Sequence, residues 1–252
     1  MQRAGLVTLY PQFTGATASN FNGFSWYHSL QLKVERRFAN GVTFQSSYTY
    51  SKMMEAVGYL NGWDPYPERA VSAQDFPQRF SISAIYEFPF GRGKRFLGSA
   101  KGFGGKLASG WQAQGVYTGQ SGQALGFGNA IFLGNLKDIP LPNGQRTPDQ
   151  WFNVNAGFER NSARALSYNF RTLNSRFSSV RGDGINQFNL SLLKNTRITE
   201  SKTFQFRAEA INAMNHVMFV NPNTTPSSSA FGTITDEKST GRAIQLGFKF
   251  LF

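Results

Sequence analysis

Cysteine is absent from this chain, which excludes a disulfide framework and any thiolate metal site. That absence fits an oxidising cell envelope without demanding one. There is no run of about 18 apolar residues, so no transmembrane helix is expected. Histidine occurs only as His28 and His216, far apart and without a paired ligand motif, so both are expected at strand ends or in loops and not on a metal. No GxSxG elbow occurs. The glycine-rich stretches at 102–105 and 126–128 lack both phosphate-cradling patterns, and Lys106 is followed by Leu107 where a P-loop needs Ser or Thr. Neither an enzyme nor a cofactor is therefore expected. Acidic residues are scarce, 14 against 26 basic, for a net charge of +12. Such a balance can mark nucleic acid or anionic lipid as a partner. The basic residues are scattered, however, with Arg92, Lys94 and Arg95 in a glycine-rich turn as the densest cluster, and no nucleic-acid partner is expected.

Aromatic residues, in contrast, are abundant at 15%, and Phe alone supplies 25 positions. Aromatic richness with a negative mean hydropathy suits strands that are apolar on one face only. The period is two almost throughout. Leu30, Leu32 and Val34 alternate with Ser29, Gln31, Lys33 and Glu35. Ala39-Asn40-Gly41 follows as a hairpin signal. Val42, Phe44, Tyr48 and Tyr50 then alternate with Thr43, Gln45, Ser47 and Thr49. The same pattern returns over 79–88, 111–118, 187–193, 203–210 and 242–252, giving about seven strands and a possible partial one before Ser25. In the sixth, Phe204, Phe206, Ala208 and Ala210 oppose Gln205, Arg207 and Glu209.

The connections alternate in length. Those at 39–41 and 195–202 are short; those at 53–77, 121–182 and 213–240 are long and rich in Asn, Gly and Pro; the basic stretch 91–110 is intermediate. A polar loop as long as 121–182 argues against a compact soluble domain but is ordinary on an outer-membrane barrel. Several strands reach about ten residues, the span of a tilted membrane-crossing strand. The fold class expected is thus all-β, an up-and-down antiparallel transmembrane β-barrel segment with long extracellular loops. Leu30, Phe44, Phe80, Ile82, Phe188, Phe204, Phe206 and Phe248 are expected to face lipid. Lys33, Gln45, Gln112, Arg207, Glu209 and Lys249 are expected to face the lumen. Tyr48, Tyr50, Tyr86, Trp111 and Tyr117 are candidates for an interfacial aromatic belt or ordinary strand aromatics. A soluble or surface-exposed β-rich, adhesin-like module, with the Phe faces packed against a second sheet, satisfies the same periodicity and stays open as the alternative. Asp64, Glu68 and Asp75 share one loop and read as solvated in preference to a cation site; Arg181-Gly182-Asp183, a cell-adhesion tripeptide, reads as coincidence.

Leu246, Phe248, Phe250 and Phe252 end the chain in step, and a terminal strand of this kind resembles the sorting signal read by the outer-membrane assembly machinery. Met1–Gly5 lead into no signal-peptide core, so Met1 is not expected to be the natural start of an exported protein. The stretches YPQF (10–13), YHSLQLKVERRFANGVTFQSSYTYSK (27–52), FPQRFSISAIYEFPFGRGKRF (76–96), GWQAQGVYTGQSG (110–122), FNLSLLKNTRI (188–198), FQFRAEAINAMNHVMFVNPN (204–223), FGTIT (231–235) and RAIQLGFKFLF (242–252) span nearly the whole chain. In order and spacing they resemble TonB-dependent receptors, especially the Oar-like branch. The resemblance implies that residues 1–252 are the C-terminal part of a barrel of about 22 strands plugged by an N-terminal domain. It also implies the partners: outer-membrane lipid, the assembly machinery, N-terminal strands and a plug missing from this chain, and TonB only through that plug. With no plug in the sequence, a fragment not active alone is expected.

Overall fold

The computed structural model describes residues 21–164, 169–239 and 241–252. Among the described residues ten strands form in chain order: β1 (Phe24–Ala39), β2 (Val42–Ala56), β3 (Ala70–Val71), β4 (Gln78–Glu87), β5 (Trp111–Gln120), β6 (Ala124–Leu125), β7 (Phe177–Arg181), β8 (Ile185–Arg197), β9 (Thr203–Ile211) and β10 (Ala243–Leu251). The seven strands read from alternation, β1, β2, β4, β5, β8, β9 and β10, pair in that order as an antiparallel sheet, and β3 adds a short eighth strand on β2. Every neighbour along the main path is also the next long strand in sequence, as an up-and-down connection requires.

The β1–β2 turn shows how locally this is decided. Asn40 and Gly41 both have positive φ, 54° and 82°, which is the two-residue hairpin geometry that Asn-Gly favours. A side chain at Gly41 would also meet the Glu87 carbonyl oxygen at 2.9 Å, so neither the dihedral nor the space admits a larger residue.

Register then aligns the faces. One row of paired residues crosses all seven long strands: Arg36, Phe44, Ala84, Gly115, Leu190, Ala210 and Ile244. Residues opposite one another across a strand pair share a face, so the apolar sides of the seven strands form one continuous surface and the polar sides another. Both are uncovered at the margins: Leu30, Leu32 and Val34 of β1 and Ile244, Leu246 and Phe248 of β10 are all exposed. A soluble sandwich would have packed a second sheet there; among the described residues the only other sheet is the two-stranded β6–β7 pair.

Three expectations need correction. β2 does not stop before Met53 but continues to Ala56, because Met53–Ala56 pair with Phe24–Tyr27 of a β1 that starts earlier than Ser29. The 91–110 segment is not all turn: Gly102–Ala108 form a short helix, α1. Its glycines mask any apolar helical period. The third correction is the largest. The 121–182 stretch, read as a polar loop, holds most of the buried core among the described residues: Leu125, Phe127, Ala130, Ile139, Trp151, Phe152, Ala156, Phe158, Leu173 and Val180 cluster with Phe231 and Ile234 from the β9–β10 connection. Phe127 meets Phe152, Phe158 and Phe231 at centroid separations of 5.1, 4.6 and 6.2 Å. The partial strand expected before Ser25 falls largely on residues 1–20, outside the described residues.

Long connections gather at one end of the sheet. Arg181 bonds Asp75, Ser175 bonds Glu68, and the Phe219 N–H donates to Asp183 at 2.9 Å, so the described residues of 57–77, 121–184 and 212–242 form one loop assembly. At the other end the Glu87 N–H donates to the Gly41 carbonyl and the Asn195 N–H to that of Gly110, bringing the hairpin, the 88–110 segment and the β8–β9 turn together.

Candidate functional site

The features that can act are the two sheet faces, the two sheet edges and the loop assembly. On the polar face, Gln112 pairs with Glu87 and Leu193, Gln45 with Glu35 and Ser83, and Lys249 with Gln205. Arg207 and Glu209 form an ion pair at 2.5 Å, and Glu209 also accepts from Ser191 at 3.1 Å and Gln245 at 2.5 Å. Alternate residues on three adjacent strands thus converge on one carboxylate. Lys33 pairs instead with Glu35 at 3.2 Å, exposed on β1 at the opposite margin of the sheet. Lys33, Gln45, Gln112, Arg207, Glu209 and Lys249 therefore share one face, but only Arg207 and Glu209 touch.

The opposite face carries the aromatic residues. Phe248 lies 5.9 Å from Phe204 and 5.4 Å from Phe206, and Tyr117 lies 5.9 Å from Phe80 and 6.5 Å from Phe188. Tyr48, Tyr50, Tyr86 and Trp111 belong to this face by register. Its charged members, Arg36, Lys52 and Lys194, all lie in the terminal parts of their strands. The Lys194 ammonium turns to the end of the face: it donates to the carbonyls of Lys106, at 2.7 Å, and Ser109, and lies 5.7 Å from the Trp111 ring centroid. Long basic side chains near an apolar boundary reach for polar partners in this way. Leu246, Phe248 and Phe250 continue this face along β10, and the exposed Phe252 follows the strand end.

The loop assembly has its own chemistry, most of it invisible to periodicity. Asp75 is 1% exposed. Its carboxylate accepts from Arg181 at 2.6 Å, from the Met53 N–H at 2.6 Å and from Lys52 at 3.5 Å. Asp75 is therefore a buried clasp, not a solvated loop residue. Glu68 accepts from Ser175, and Asp64 accepts from the Asn61 N–H at 2.7 Å, so the three carboxylates expected in one loop are spent on three different contacts. Arg181 is bound to Asp75 and to the Gly122 carbonyl, which withdraws the Arg-Gly-Asp tripeptide from display. Further out, the Asn161 N–H and the Arg164 guanidinium hold the Glu159 carboxyl below its ordinary pKa. His28 pairs with Lys52 at the loop end of the sheet, and the His216 N–H and carbonyl bond the Asn212 side chain.

Comparison with known proteins places this arrangement. The chain matches no curated protein and no solved structure. A family model described as the outer membrane beta barrel domain matches residues 2–245, almost the entire chain. With its antiparallel sheet, continuous apolar face and gathered loops, the chain belongs to the outer membrane β-barrel domain family and to the bacterial outer membrane.

Proposed function

We propose that this chain is the C-terminal barrel wall of a TonB-dependent transporter of the Oar-like kind, taking part in uptake of a bulky nutrient and not transporting alone. The observation that carries the proposal is the open sheet. Seven strands run in sequence order, one polar face crosses all of them, and neither β1 nor β10 has a further partner among the described residues. An uninterrupted polar surface of this kind suits the lumen wall of a barrel wider than seven strands can enclose. Lys33, Gln45, Gln112, Arg207, Glu209 and Lys249 would then line the lumen around a plug, and the aromatic face would meet outer-membrane lipid. The remaining partners in this proposal are N-terminal strands that cover the edges, an assembly machinery that reads Leu246, Phe248, Phe250 and Phe252, and TonB acting through the plug. The ordered resemblance of the stretches from Tyr10 to Phe252 supports the same assignment. The role is that of a wall and a gatekeeping surface, without catalysis.

The test is the size and company of the chain in its own outer membrane. An antibody against residues 121–164 should detect a polypeptide or complex far above 28.0 kDa that co-purifies with a TonB-type energy transducer. A 28.0 kDa monomer that closes on itself and conducts alone would sink the proposal. The buried core of the loop assembly favours one second reading, a surface module that binds through its loops. In that case ligand capture would survive when the transducer is deleted.

A further inference from the structure

At the end of the sheet away from the loop assembly lies a cleft of about 950 Å³, between the 92–110 segment and the β8–β9 turn. Arg92, Lys101, Lys106 and Arg197 line it, with Glu200 as its one acidic residue. Arg197 is engaged with the carbonyls of Thr199 and Glu200. Arg92, Lys101 and Lys106 are exposed, and among the described residues none of them forms an ion pair. The cleft thus carries a net positive charge, four basic side chains against one acidic.

Its position makes that charge informative. Trp111 and Lys194 both belong to the apolar face, and both reach the last turn of α1: the indole N–H donates to the Leu107 carbonyl at 2.9 Å and the Lys194 ammonium to that of Lys106. The helix therefore hangs on the apolar side of the sheet's end. Phe103 and Leu107, neighbours at i and i+4 on α1, are 82% and 58% exposed. From β4 a ladder of rings continues the apolar face, with Tyr86–Phe88, Phe88–Phe90 and Phe90–Phe96 centroids 5.3, 6.0 and 5.9 Å apart. A site for a water-soluble anion has no use for exposed Phe and Leu on the helix whose Gly102, Gly105 and Lys106 wall it. Apolar side chains beside unpaired cations are what the boundary of an anionic membrane selects.

We propose that this cleft binds the phosphate-bearing headgroup of an anionic membrane phospholipid. Arg92, Lys101 and Lys106 take the phosphate, while Phe103 and Leu107 enter the acyl boundary beside it. The site would anchor this end of the sheet at a set depth. The proposal rests on the aromatic face meeting lipid, a dependence that the experiment separates out.

The full chain, refolded in neutral detergent micelles doped with phosphatidylglycerol or phosphatidylcholine, is assayed for bound lipid by native mass spectrometry. Preferential retention of phosphatidylglycerol is expected. At a factor of about five per cation near an anionic surface, the R92Q/K101Q/K106Q variant should lose about a hundredfold in affinity. R92K/K101R/K106R should keep it, and K137Q, in the loop assembly, should change nothing. F103S/L107S should weaken lipid binding without altering the response to glycerol phosphate. Equal retention of the two lipids, a loss under tenfold in the triple Gln variant, or free inorganic phosphate binding as tightly as the lipid would each overturn the proposal. Vesicle flotation of the unmodified chain reports separately on the aromatic face. Failure to float removes the lipid-facing reading, whereas flotation without headgroup preference removes only the cleft.

Discussion

At the scale of single residues, two ion pairs show how burial decides what a contact contributes. Lys33–Glu35 sits on the margin of the sheet with its side chains 58% and 46% exposed, where solvent and salt screen it. Such pairs contribute about 0–1 kcal/mol, and Glu35→Gln is expected to leave stability unchanged in a denaturation series. Asp75–Arg181 is the opposite case, with the carboxylate fully enclosed and the guanidinium 14% exposed. Removing one partner of a buried pair leaves the other charge uncompensated, at a cost of about 3–5 kcal/mol. Asp75→Ala should therefore loosen the loop assembly, because the same carboxylate also holds the Met53 N–H at the end of β2. Limited proteolysis of the detergent-folded chain measures this. Cleavage within 121–184 should accelerate strongly in the variant, and unchanged protection would show that the clasp contributes nothing.

At the scale of elements, register turns facing into a graded experiment. Leu190 lies in the row that crosses all seven long strands, far from either strand end, whereas Phe206 is paired with Lys194 near the β8–β9 turn. A basic residue on the lipid side costs about 2–4 kcal/mol at mid-depth and about 0–1 near the interface. Leu190→Arg should therefore impair folding into vesicles severely and Phe206→Arg only mildly. Gln114→Arg, on the polar face opposite Ser191, should be tolerated. Folding yield, read from heat-modifiable migration on gels, ranks the three; equal yields would remove the distinction between the faces. The same register explains why Arg36, Lys52 and Lys194 are admissible on an aromatic surface. Each lies in the outer part of its strand, where a long side chain reaches polar groups.

At the scale of the whole molecule, the edges dominate. About half of the N–H and C=O groups of β1 and of β10 point away from the sheet. Each such group left unpaired in hydrocarbon costs several kcal/mol, so each open edge costs on the order of tens of kcal/mol. No side-chain contact among the described residues is large enough to offset that, so membrane residence requires that further strands or another copy cover both edges. The isolated chain should consequently aggregate in aqueous buffer and refold only with detergent or lipid. Sedimentation in the two media is the measurement, and a soluble monomer without detergent would sink the membrane assignment of the apolar face. The loop assembly is relieved of this problem, since Phe127, Phe152, Phe158 and Phe231 bury one another outside the sheet.

The amino-acid sequence by itself determined the seven long strands, their order, their two faces and the β1–β2 turn, but not the short β3, β6 and β7. All of these follow from short-range rules: period-two alternation between Leu30 and Val34 or Phe204 and Ala210, and the positive φ that Asn40-Gly41 accepts. It also placed Lys33, Gln45, Gln112, Arg207, Glu209 and Lys249 opposite the aromatic residues, because parity along a strand survives any error in where the strand ends. Tertiary structure alone decided the rest. Asp75 and Arg181 are 106 positions apart, and no local pattern pairs them. The aromatics of the loop core follow no period, because an irregular backbone presents its side chains without one, so a core looked like polar loop. The Arg92, Lys101 and Lys106 cleft, likewise, exists only because β8 and its turn return to lie against α1. Register then left β1 and β10 at opposite margins, a consequence of pairing between distant strands that no window of residues contains.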